Sequence, residues 1–160
     1  MASRSATKRS QLEQWIRENR PERIGETEER LIREHLAPVS GSYLRGLLRS
    51  CGVPLDPLVE GVRQSNWDEL ERTLLALWAL YTTANDAGDR ERAQRCRREV
   101  LTAKEHAQLA ARSRRAAPEA RDQKLEMASW MRVWLEDPSV FPSWLRLRRR
   151  VLATEDLPEN

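Results

Sequence analysis

The chain has 160 residues, 39% of them apolar and 33% charged, with six Gly, eight Pro, two Cys and a formal net charge of +3. That is one domain's worth of chain, with room for a second small module, and enough apolar material for one core beneath a wet surface. Collagen-like, low-complexity and disulfide-framework classes are excluded, and the longest apolar run, Leu74–Tyr81, falls far short of the roughly 20 residues that a membrane span needs.

The start, MASRSATKRS, is polar and basic with no apolar stretch behind it, so export is not expected and residues 1–9 read as a disordered arm. The first predicted helix is Gln11–Asn19, with Ser10 and Glu13 at capping-box spacing and Pro21 ending it. The second is Glu28–Leu36, opened by Thr27 and closed by Pro38, and the third is Ser42–Ser50, stopped by Gly52. Asp56-Pro57 reads as an N-cap followed by proline at the first helical position, starting a short helix that reaches about Arg63.

Asn66 caps the next helix, Trp67–Ala84, in which Trp67, Leu70, Leu74, Leu77, Tyr81 and Ala84 alternate steps of three and four. After a break at Asn85–Gly88, the same rhythm returns in small residues: Ala93, Cys96, Val100, Ala103, Ala107 and Ala110. Large side chains on one helix facing small ones on the other predict a close antiparallel hairpin. Leu80, Gly88-Asp89 and Ala93 also resemble one tetratricopeptide-type unit, but no second copy follows. Beyond Ala116–Pro118 comes a helix over Glu119–Glu136 that is apolar nearly all round, and so one buried among neighbours or held against a partner. Asp137-Pro138 ends it, Pro142 starts a last short helix, and residues 151–160 read as a fraying tail.

The pattern predicts an all-α fold, a bundle of about six or seven helices around the central hairpin. A small helical module spans residues 10–64 and a long-helix bundle spans 66–150.

Enzyme chemistry has no foothold in these residues. His35 and His106 are the only imidazoles, and neither has a Glu three residues before it. Nucleophile-elbow, dinucleotide and Walker signatures are missing. Cys51 and Cys96 have no partner spacing, so two inert thiols in a cytoplasmic protein are expected, with no metal and no cofactor.

Two features point instead to binding. Residues 28–52 read as helix, short turn, helix, and the run Val39-Ser40-Gly41-Ser42-Tyr43-Leu44-Arg45 resembles the start of the recognition helix in helix-turn-helix DNA-binding proteins. The resemblance implies that Val39, Leu44 and Leu47 are buried while Ser40, Ser42, Tyr43, Arg45 and Arg49 face phosphates or base edges. Pro38, Glu34 and Arg33 depart from that pattern. The same segment also reads as plain bundle helices burying Tyr43, Leu44, Leu47 and Leu48. The second feature is charge. Arg90–Arg115 holds nine basic and three acidic residues, and Arg97 and Arg98 there are candidate phosphate contacts. No aromatic residue interleaves that run, so a stacking platform for single strands is not expected on it.

Six Trp against one Phe concentrates packing energy in a few anchors. So many indoles in so small a core suggest that some, with Trp130, Trp134 and Trp144 foremost, lie at a surface and dock a partner. The candidate partners are therefore nucleic acid, another protein or a second copy of the chain, and not a membrane.

Overall fold

The computed structural model describes residues 7–155, among which there are eight α-helices, one 3-10 turn and no strand. The chain is all-α. It divides into two compact units, one ending at Gly61 and one beginning at Val62.

The first unit holds α1 (Lys8–Asn19), α2 (Glu26–Leu36), α3 (Gly41–Arg49) and α4 (Pro57–Glu60). Helix α1 starts earlier than its sequence suggests because Thr7, not Ser10, is the cap: its hydroxyl oxygen accepts from the Ser10 amide at 3.1 Å. Lys8 and Arg9, expected in a disordered arm, are thus helical, and residues 1–6 of that arm lie outside the described residues.

Helix α2 also starts early, at Glu26. Its cap is Gly25, whose amide donates to Glu28 Oε2 at 3.1 Å. A Cβ on Gly25 would stand 2.8 Å from Asp56 Oδ2, so glycine is what lets these two segments touch. Asp56 is fixed there by Arg23, whose Nε donates to Oδ1 at 2.8 Å. Two backbone bonds that Ile24 makes with Pro54 and Asp56 add to this. Its carboxylate therefore makes no cap bond to α4, contrary to the Asp-Pro signal, and α4 ends at Glu60. The core of this unit is apolar throughout: Leu12 and Trp15 of α1, Ile24, Ile32 and Leu36, Leu44, Leu47 and Leu48 of α3, and Val59.

The second unit is a set of long helices, α5 (Trp67–Asp86), α6 (Arg90–Arg112), α7 (Pro118–Glu136) and α8 (Phe141–Glu155), with the 3-10 turn Pro138–Val140 ahead of the last. Asn66 caps α5 as expected, its Oδ1 accepting from the Glu69 amide at 2.9 Å. Gly88, at φ 73, turns the chain between α5 and α6. The hairpin is antiparallel: Gln64, just ahead of α5, donates its amide to the Ala103 carbonyl in the second half of α6 at 3.1 Å.

Leu70, Leu74 and Leu77 are fully buried on α5, and Ala93, Cys96, Val100, Ala103 and Ala107 are buried on α6. The stripe on α6 ends on Ala111, while Ala110 is exposed, because the face turns to meet α7 as well as α5. Trp67 and Tyr81, expected against α6, lie half-buried against Trp130 and Trp134 of α7 instead.

Helix α7 presses one broad face into the core and leaves Leu125, Arg132 and Glu136 exposed. Met127, Ala128, Trp130, Met131 and Trp134 are all buried, while Val133 and Leu135 of the same apolar set are only partly so. Trp134 donates its indole N–H to the Leu74 carbonyl at 3.1 Å, so the ring is buried with its one polar group satisfied. Helix α8 buries Phe141 and Leu145. Farther along, Arg149 pairs with Glu71 at 2.8 Å and Arg148 with Glu126. The tail expected to fray beyond Arg150 stays helical to Glu155, and residues 156–160 lie outside the described residues.

Candidate functional site

In the first unit, α3 carries the segment that resembles a recognition helix. Ser40 is its N-cap, with the hydroxyl oxygen accepting from the Tyr43 amide at 3.2 Å. That hydroxyl is therefore a structural group first. Ser42 and Tyr43 are exposed, Tyr43 by 53%, which corrects the bundle alternative in which Tyr43 was buried. Val39 is partly buried and Leu44 and Leu47 fully so. Arg45 is half-buried.

Arg49 is not placed for a ligand. Its Nε and Nη2 both donate to the Glu60 carbonyl, at 3.1 and 2.7 Å. This bifurcated bond closes the end of α4, whose last carbonyls have no helical partner. Two of the five guanidinium donors thus tie α3 to α4, a structural bond at a residue expected to meet phosphates or base edges.

In the second unit, Arg97 and Arg98 do come together with other cations. Gln94, Arg97, Arg98, Leu101 and Lys104 fall on one side of α6, being three and four residues apart. The last turns of α7 lie beside them and supply Arg132, Leu135 and Glu136. These residues line an open groove of about 650 Å³. Its floor is apolar, from Leu101 and Leu135, and four cations surround it.

The electrostatics of the groove are unbalanced. Among the described residues no carboxylate reaches Arg97, Arg98 or Lys104, whereas Arg132 meets Glu136 at 3.8 Å with both side chains well exposed. A pair that long and that wet offsets little charge. Arg148 and Arg149 of the same unit, by contrast, meet Glu126 and Glu71. A concave surface lined by four cations against the single carboxylate of Glu136 keeps a positive excess, which focuses its field outward and draws in counter-ions.

The tryptophans do not form a docking surface. Trp130 and Trp134 are 2% and 0% exposed, and Trp144 is half-buried with its ring edge-on to Trp130 at 5.8 Å. None of the six indoles is exposed. Several pack on other rings: Trp67 lies tilted against Trp130 at 4.9 Å, and Phe141 stacks on Trp144 at 6.1 Å. The expectation that Trp130, Trp134 and Trp144 dock a partner is corrected accordingly.

Lys104, Leu101, Arg132 and Leu135 complete the groove and were not singled out from sequence. Lys104 carried a signal as one of the nine bases of Arg90–Arg115, and Leu101 carried one as a large apolar residue within that run and off the alanine stripe. Among the described residues no three His, Cys, Asp or Glu side chains stand together as a metal site would require, and no helix is long and apolar enough to cross a membrane. No protein-family model, curated protein or solved structure matches the chain.

Proposed function

We propose that this is a non-enzymatic, cytoplasmic nucleic-acid-binding protein whose contact surface is the basic groove between α6 and α7. The observation that supports this reading is the convergence of three cations without carboxylate partners, Arg97, Arg98 and Lys104, on one concave surface with Arg132. Guanidinium groups match phosphate oxygens in a two-pronged geometry, and the ammonium adds a point charge. The helix-turn-helix-like segment takes a lesser part: Ser42 and Tyr43 present hydroxyls suited to phosphate oxygens, while Arg49 is engaged with Glu60. A reducing compartment suits the two free thiols of Cys51 and Cys96.

The test is fluorescence anisotropy of labelled mixed-sequence oligonucleotides across a salt titration. Binding should appear at micromolar protein, with log affinity falling linearly against log salt. Replacing Arg97 and Arg98 together by Ala should weaken binding by about tenfold and flatten the salt slope by about two, one for each lost phosphate contact. Unchanged affinity in that variant, with its helicity intact, would remove the groove from the contact surface.

A further inference from the structure

Resting on that reading, we infer that the groove takes a single strand of nucleic acid rather than a duplex. Its geometry and its floor both argue for this. Packed helices stand about 8–10 Å apart, so a cleft between two of them is narrow. A duplex is a stiff, convex cylinder and meets only the rim of such a cleft. The other duplex mode, insertion of α6 into a major groove, needs that face of the helix to stand clear. Here the face bearing Arg97, Leu101 and Lys104 is flanked by Arg132 and Leu135 of α7, so the helix cannot enter.

The apolar floor points the same way. Leu101 is 41% exposed between Arg97 and Lys104, and Leu135 faces it from α7. A duplex turns its base faces inward and has nothing apolar to set on these leucines. A single strand lays its phosphates along the cations and its unstacked bases and sugars on the floor, with guanidinium planes as stacking partners. The missing aromatic residues in the basic run thus do not prevent strand binding, because guanidinium planes supply flat surfaces and the leucines supply apolar contact. Such contacts read no base edges, so binding is indifferent to sequence.

The experiment compares labelled oligothymidine, a mixed-sequence duplex of equal length and polyglutamate on the full chain. Oligothymidine should bind about tenfold more tightly than the duplex. Leu101→Asn, an exposed-site change that a helix tolerates, should weaken the strand about threefold or more and leave the duplex unchanged. Duplex binding equal to or tighter than strand binding overturns this inference while the nucleic-acid reading stands. So does a Leu101→Asn variant that loses nothing on the strand. Binding to neither nucleic acid overturns both, and tighter binding of polyglutamate than of oligothymidine assigns the groove to an acidic protein and overturns both as well.

Discussion

Arg49 and Arg97 carry the same guanidinium, yet only one is placed to meet a ligand. Arg49 spends two donors on the Glu60 carbonyl, and Arg97 lines an open groove with no carboxylate in reach. Replacing Arg49 by Ala should therefore destabilise the first unit by about 1–3 kcal/mol, the range for losing a hydrogen bond from a charged donor, here to a part-buried carbonyl. It should leave nucleic-acid affinity as it was. Urea unfolding and anisotropy on the same preparation check both halves, and a parallel loss of affinity would restore α3 to the contact surface. From sequence, Arg49 and Arg97 look alike, because what separates them is a carbonyl eleven residues away in one case and a neighbouring helix in the other. Ser40 and Asn66 were legible because a cap satisfies amides only three residues on. Gly25 was not, since its reason is Asp56, far along the chain.

At the level of the helix, α6 is built on two opposed requirements. One side is a run of small residues, Ala93, Cys96, Ala103 and Ala107, pressed into the core, and another carries Arg97, Arg98 and Lys104. The small side allows α5 and α7 to approach closely. Enlarging it should cost accordingly: Ala107→Leu, at a site 1% exposed, is expected to destabilise the second unit by about 1–3 kcal/mol through overpacking. A midpoint shift in urea checks this, and an unchanged midpoint would mean the stripe is looser than its burial implies. The hairpin was legible because both stripes keep helical spacing over many turns. The swing from Ala110 to Ala111 was not, because a third helix shares that face, and spacing within one helix does not reveal its neighbours. For the same reason the abundance of Trp misled. Aromatic rings that pack tilted and edge-on across α5, α7 and α8 share space in a core that looks too small when each is counted alone.

For the whole molecule, the two units each enclose their own apolar centre, and every residue of the groove belongs to the second. A chain beginning at Val62 is expected to keep its helical circular dichroism and most of the full protein's oligonucleotide affinity, short only of the lesser share of Ser42 and Tyr43. A truncated chain that is folded but fails to bind would show that the first unit completes the site. The short helices before Gly61 and the long ones after Val62 follow caps and breaks that are visible along the chain. The groove is not visible there, because it exists only where Arg132 and Leu135 come alongside residues some thirty positions earlier.

The stacked rings have an optical consequence as well. Trp15 is the lone indole before Gly61, while Trp67, Trp78, Trp130, Trp134 and Trp144 all follow it. Intrinsic emission is therefore weighted toward one part of the chain, and loss of the other leaves it nearly unchanged. A denaturation followed by that emission alone records the groove-bearing part and passes over α3 almost in silence.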